Sequence, residues 1–191
     1  TPTLYEISEV FTDQGESRFD DGVRYTSDLQ QGTTVYRIVT PMVVALGGSL
    51  QLTDWLLVAG DAELTDWTQM KFDTDRSALL AENRAIQKIF RATANLRGGA
   101  ELSLWSLGVR LRGGFVLNPS PYKNDPASYD QRYLTLGAGI QLDENVVLNV
   151  GYAYGMWKTF RNNYYLGGVP ASRVDESVKT HQLNVTFSYR F

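Results

Sequence analysis

Apolar and polar residues alternate along most of this chain. The closing stretch QLNVTFSYRF (182–191) sets Leu183, Val185, Phe187, Tyr189 and Phe191 against Gln182, Asn184, Thr186, Ser188 and Arg190. A period of two puts successive side chains on opposite faces of a β-strand. The same period runs through NVVLNVGYAYGMWK (145–158), with Val146, Leu148, Val150, Tyr152, Tyr154 and Met156 on one face. It recurs in YLTLGAGIQL (133–142), LGVRLRGGFVL (107–117) and RATANLRGGAELSL (91–104), and over 55–67. Residues 35–52 continue it through Tyr36, Ile38, Met42, Val44, Leu46, Leu50 and Leu52. Residues 3–11 form a weaker strand, with Tyr5 and Ile7 opposite Glu6 and Ser8. The pattern predicts about eight strands.

The connections carry a second pattern. Tight turns are expected at Thr53-Asp54, Trp105-Ser106 and Asp143-Glu144, and long links at 12–34, 71–90, 118–129 and 159–176. Within the second long link, RSALLAENRAIQKIF (76–90) breaks the strand rhythm and predicts a helical turn or two, read as a packed loop with a ligand lid as the alternative. Tight turns at one rim and extended loops at the other are the plan of a transmembrane antiparallel up-and-down β-barrel. The expected fold is therefore all-β, with residues 1–191 as one barrel domain.

Alternation alone does not say which face meets water. A soluble barrel turns its apolar face inward; a membrane barrel turns it outward. Here the polar face carries Asp61, Glu63, Arg91, Arg97, Glu101, Arg110, Arg112 and Arg190, interspersed with glycines such as Gly114, Gly137, Gly139 and Gly151. Small residues make room in a lumen, whereas glycine on a solvated strand only costs stability. Trp55, Trp105, Tyr189 and Phe191 collect near the tight turns, where an interfacial belt wants amphipathic rings. The expected arrangement is lipid outside and polar lumen inside, in the bacterial outer membrane. A bilayer admits no open sheet edge, so the sheet must close on itself or on further strands. On this reading Tyr189 and the terminal Phe191 form a C-terminal assembly signal for the barrel-assembly machinery.

Composition narrows the alternatives. Hydrophobic residues make up 43% and charged residues 20%, which excludes a disordered chain. The net charge of −3 comes without a Lys/Arg run, so no nucleic-acid partner is expected. There is no cysteine, hence no disulfide framework and no thiolate metal site. No Gly-rich phosphate loop and no metal-ligand cluster is visible, so no cofactor and no metal is expected. No apolar run approaches the roughly 20 residues of a membrane-spanning helix, and TPTLYEISEV shows no signal peptide.

Several stretches resemble one family. TPMVVALGGSLQLTDWLLVAGDAELTDW (40–67), NLRGGAELSL (95–104), GVRLRGGFVLNPSPY (108–122), YLTLGAGIQLDENVVLNVGYAYG (133–155) and the closing HQLNVTFSYRF resemble, in order and spacing, strands of the FadL/TodX-type outer-membrane transport proteins. The similarity spans residues from about 35 to 191. It implies part of a barrel of about 14 strands, consistent with even-numbered outer-membrane barrels. It also implies passive uptake of hydrophobic compounds such as long-chain fatty acids. The family's N-terminal hatch has no expected counterpart here, so the chain reads as the C-terminal portion of such a barrel or a shortened plan.

Candidate residues follow. The loop aromatics Tyr122, Phe160, Tyr164 and Tyr165 are candidate contacts for a hydrophobic small-molecule ligand, because a cleft needs apolar groups with a few polar anchors. Asp61, Glu63, Arg97, Glu101, Arg110 and Arg112 are expected to pair as a ladder that stiffens the lumen; the sharper reading makes them anchors for a carboxylate ligand. Lipid or lipopolysaccharide would contact the outer face. Two other functions compete: a structural or partner-docking barrel within a larger membrane complex, and a lipid-modifying enzyme. The enzyme would need a nucleophile–base pair. The only histidine is His181, and Ser177 on the same strand lies too far along it for a hydrogen bond. No catalytic residue is therefore assigned, and no enzyme activity is expected.

Overall fold

The computed structural model describes residues 2–166 and 169–191, without the side chains of residues 164–166 and 169–171. In chain order the first strands are β1 (Leu4–Asp13), β2 (Glu16–Arg18), β3 (Arg24–Thr26), β4 (Gln30–Val39), β5 (Val43–Thr53), β6 (Leu56–Asp66) and β7 (Lys71–Phe72). A helix, α1 (Ser77–Ile89), precedes β8 (Ala92–Leu104), β9 (Val109–Asn118), β10 (Gln131–Asp143), β11 (Val146–Leu166) and β12 (Val169–Tyr189). The chain is predominantly β and its sheets are antiparallel. It divides into two compact units.

The first unit takes in the chain up to Met42 together with Thr68–Lys88. β4 pairs with β1 along its whole length and with β7 at Ile38 and Val39. The short pair β2–β3 forms a separate ribbon. Arg37 reaches Glu6 (3.4 Å) and Asp73 (3.7 Å). The Tyr36 ring meets Phe72 edge-on at 6.0 Å. Asn83 ties α1 to β7: it accepts from the Phe72 N–H (2.7 Å) and donates to the Phe72 carbonyl (2.9 Å). The sequence of α1, rich in Ala, Leu, Glu, Gln and Lys, favours a helix intrinsically.

The second unit takes in Val43–Trp67 and Ile89–Phe191. It holds a seven-stranded sheet in the order β12-β11-β10-β9-β8-β6-β5, a meander in which each strand lies beside its sequence neighbours in the sheet. Two-residue turns follow β5 and β10, each just after a bulge, at Gln51/Thr53 and Gln141/Asp143. Bulges add local twist and re-aim the strand into a turn. At the Asp143-Glu144 turn the Glu144 N–H donates to the Asp143 carboxylate (2.7 Å). The turn at Trp105–Leu107 closes on Gly108, whose φ of 63° lies in the left-handed region that glycine adopts without strain.

The register fixes the faces. Across the rows, Asp61 stands opposite Arg97, Glu101 opposite Arg112, Gly139 opposite Asn149 and Gly151 opposite Asn184. Leu46, Val58, Leu96, Leu111, Leu136, Val150 and Val185 occupy the other face, one or more from each strand. That apolar face is uncovered: Leu136 and Leu183 are 68% exposed and Phe187 is 65% exposed. No hydrophobic side chain is buried among the described residues. This sheet has no core of its own.

Three expectations change. Residues 35–52 are not one strand: the ladder breaks at 40–42, and β4 and β5 belong to different sheets. Pro41 stands in this break, where it cannot donate a ladder hydrogen bond. The described residues of 159–176, namely 159–166 and 169–176, are strand and not loop. β11 and β12 pair from Val146↔Tyr189 to Leu166↔Val169, through irregularities near Tyr164. β10 leaves β11 at Arg132↔Met156, so the hairpin continues past the sheet as a two-stranded ribbon. Finally, the meander counts seven strands rather than eight, because β1 pairs elsewhere, and its hydrogen bonds do not close it into a barrel: β5 and β12 are its outer strands.

Candidate functional site

The charged face of the meander gathers the chemistry. Asp61 on β6 and Arg97 on β8 are register partners, and their side chains meet at 2.8 Å. Arg97 also reaches Glu63 at 3.7 Å, and Glu63 accepts from the Asn95 amide at 3.1 Å. One step along, Glu101 on β8 accepts from Arg112 on β9 at 2.7 Å and lies 4.0 Å from Arg110. The Ser103 hydroxyl also donates to Glu101 (3.3 Å). The six predicted lumen charges therefore form two groups, one on Arg97 and one on Glu101. They contain three carboxylates and three guanidiniums.

Glycine decides how far these groups reach. Arg112 donates to Asn149 Oδ1 at 2.9 Å, although β10 lies between their strands. It crosses over Gly137 and Gly139. A Cβ at Gly139 would lie 2.6 Å from the Asn149 oxygen and 3.6 Å from the Arg112 guanidinium. A side chain there would force the Asn149 oxygen to shift. Small residues on this face were expected from the sequence; Asn149 as an acceptor was not, because only the cross-strand register aligns it with Arg112.

A trough of about 760 Å³ lies on this face. Its walls include Asp61, Arg97, Glu101 and Arg112 near the middle, Gly47 on β5 and Asn184 on β12. The first and last strands thus border one cavity, so the sheet curls toward its charged face. A cavity of this size suits a small molecule. Its polar groups are engaged with one another, and ion pairs this exposed each contribute only about 0–1 kcal/mol.

The loop aromatics separate into clusters. Tyr122 stacks on Phe90 with centroids 4.8 Å apart, beside a bridge between their backbones. Phe160 lies on the projecting ribbon, with the Arg173 guanidinium 4.2 Å above its ring and Tyr129 at 6.0 Å. Arg173 also donates to Tyr129 Oη (2.9 Å) and pairs with Asp175 (2.8 Å). The carboxylate holds the guanidinium above its ordinary pKa. Tyr122 and Phe160 do not share a contact cluster. The side chains of Tyr164 and Tyr165 lie outside the described residues.

At the other end, the Tyr189 and Phe191 rings lie 6.2 Å apart and Phe191 is fully exposed. The Arg190 N–H still donates to the Asn145 carbonyl, so pairing runs almost to the terminus. Trp105 donates its indole N–H to the Asp54 carbonyl at 3.0 Å, joining two of the tight turns.

Sequence reasoning missed one polar pair on the apolar face. Tyr152 Oη and His181 Nδ1 lie 2.6 Å apart, and the Tyr154 ring stands 5.1 Å from the imidazole. Tyr154 and His181 are register partners. Only the hairpin register, hidden when 159–176 is read as a loop, brings them together. Among the described residues no group of three or more His, Asp or Glu could hold a metal ion, and no helix is long and apolar enough to cross a membrane. Set beside known protein families, the chain matches none, and no curated protein matches it in sequence.

Proposed function

We propose that the meander is part of a bacterial outer-membrane β-barrel with its apolar face in the bilayer and its charged face toward a lumen. Through that barrel, hydrophobic compounds such as long-chain fatty acids would cross the outer membrane passively. One observation carries the reading: each of the seven strands contributes apolar side chains to one continuous, uncovered face, and no hydrophobic side chain is buried among the described residues. In water each exposed Å² of that face forgoes about 25 cal/mol of burial. In hydrocarbon it is already solvated, and the charges lie on the side where water can reach them.

Length agrees. On β12 the apolar face runs from Leu183 to Tyr189 without a charge, with Lys179 above it; on β11 it runs from Val146 to Met156, with Lys158 above it. At about 3.3 Å per residue and the usual barrel tilt, the β11 run matches an apolar band about 25 Å tall. The free edges of β5 and β12 must be paired in a bilayer, with each other or with further strands.

The transport part rests on the family resemblance over 35–191 and on the trough. Its test is twofold. The purified chain should require detergent or lipid to stay dispersed, and should release or take up a fluorescent long-chain fatty acid across vesicles faster than empty vesicles do. A chain that is monomeric and folded in plain buffer overturns the membrane reading. A chain that inserts but leaves the flux unchanged overturns transport alone.

One observation favours a second reading, docking of a partner protein. The ribbon of β11 and β12 from Trp157 to Leu166 extends beyond β10 and carries the Phe160–Arg173–Tyr129 cluster. Co-purification of a stable complex that is lost when this ribbon is shortened would establish it.

A further inference from the structure

We infer that the upper margin of the apolar face on β10–β12 is a binding site for a bis-phosphorylated glycolipid, held through its phosphates by Arg132, Lys158 and Lys179. The inference rests on the membrane reading above.

The register assembles the site. Arg132 on β10 stands opposite Met156 on β11, and Met156 stands opposite Lys179 on β12, so the three form one row. Lys158 lies two residues above Met156 on the same face, opposite Ser177. With strands about 4.8 Å apart and a rise of about 3.3 Å per residue, the three backbone positions fall within about 10 Å. All three residues are exposed. No ion pair engages any of them among the described residues; Arg132 donates only to the Ala127 carbonyl (3.0 Å).

The nearby carboxylates have partners elsewhere: Asp130, two residues before Arg132, accepts the Ser120 N–H at 3.0 Å. Asp175, on the same strand as Lys179, pairs with Arg173 at 2.8 Å, and Glu176 pairs with Arg161 at 3.5 Å. Three like charges gathered without a counter-charge repel one another. They sit, moreover, where the apolar band ends: directly below are Tyr154 and His181, then Tyr152 and Leu183, then Val150 and Val185. Aromatic rings with polar tips mark the headgroup level of a bilayer. The opposite end of the same strands carries Asp143 and Glu144 instead. The cations therefore complement anionic headgroups at one margin only.

Three cations match two phosphates better than one. A phosphate monoester carries about −1.5 to −2 at neutral pH, and a lipid with a single phosphodiester offers about half that. The guanidinium can grip phosphate oxygens in a bidentate fork while the lysines act as point charges.

The protein would be inserted into vesicles of phosphatidylcholine alone, with added phosphatidylglycerol, and with added lipid A. Native mass spectrometry would then count the lipids retained on extraction. The expected result is selective retention of lipid A, reduced at least tenfold in R132Q/K158Q/K179Q and kept in K158R/K179R. Equal retention of phosphatidylglycerol and lipid A, or undiminished retention in the triple variant, overturns the site while leaving the membrane reading in place. Failure of the wild-type chain to insert into any of the three vesicles overturns the membrane reading and the site together.

Discussion

The β1–β4 hairpin and the seven-stranded meander are both long antiparallel ladders of alternating residues, yet they distribute polarity differently. In the hairpin, one face carries Leu4, Val39, Glu6, Arg37, Val35 and Val10, and the other Tyr5, Ile38, Glu9 and Phe11. Apolar and charged groups mix on both sides. In the meander the charges within β6, β8 and β9 stay on one side, apart from Asp66 at the end of β6, and the other side is apolar from strand to strand. A period of two within a strand is shared by any half-buried sheet. What separates the two regions is whether neighbouring strands agree on which phase is polar, and only agreement makes a continuous face that can meet a bilayer.

The largest break in this comparison comes from charging the apolar face. Leu136→Arg or Val185→Arg should cost about 2–4 kcal/mol if that face meets the middle of a bilayer. Val35→Arg in the hairpin should stay within about 0.5 kcal/mol, as at most exposed positions. Urea unfolding of the lipid-inserted protein measures both, and equal losses would erase the distinction.

Next in size is Gly98→Val. A Cβ at Gly98 would sit 2.7 Å from the Phe115 ring that covers it. Overpacking of this kind costs about 1–3 kcal/mol, and adding Phe115→Leu should recover most of it. Gly48→Val, also in the meander, meets nothing within 4 Å and should change stability by no more than about 0.5 kcal/mol.

Smaller still are the ion pairs. A double-mutant cycle on Asp61→Asn and Arg97→Gln should give a coupling of about 1 kcal/mol or less, because both partners are well exposed. The Glu6–Arg37 pair in the hairpin should behave alike, which would assign the contrast between regions to apolar placement and not to charge pairing.

The smallest effect is confined to the hairpin and to alkaline pH. The Tyr36 hydroxyl donates to Glu9 at 2.9 Å, and this bond to a carboxylate raises its pKa. The folded state then holds the proton more tightly than the unfolded one. Its contribution is complete below the ordinary tyrosine value and fades as pH climbs through the raised one. Tyr36→Phe should flatten that part of the pH–stability profile; an unchanged profile would remove Tyr36 as its source.

Much of the meander was legible because period two needs no distant information. The faces of β6, β8, β9, β10 and β11 follow from residues such as Leu64 against Glu63, or Leu111 against Arg112. The turns at Asp54, Trp105 and Asp143 were equally plain. Illegible were features set by pairing between strands. The phase of 35–52 runs smoothly across 40–42, and Pro41 signals a break in the ladder but not that β4 leaves for another sheet. The stretch 159–176 reads as a loop in the sequence, while pairing carries β11 through 159–166 and β12 through 169–176. The ion pairs of Asp61 and Glu101 could be guessed as a set, but the reach of Arg112 to Asn149 required knowing that glycines stand between them.

Those glycines also set a mechanical property. Gly99 faces Gly114 across one pair of strands, and Gly137 faces Gly151 across another, all on the charged side. At these two pairs no side chain of the facing residues fills the inner surface, which leaves room for the strands to bend toward each other. The ease with which the wall rolls there is set by residues with no side chain at all.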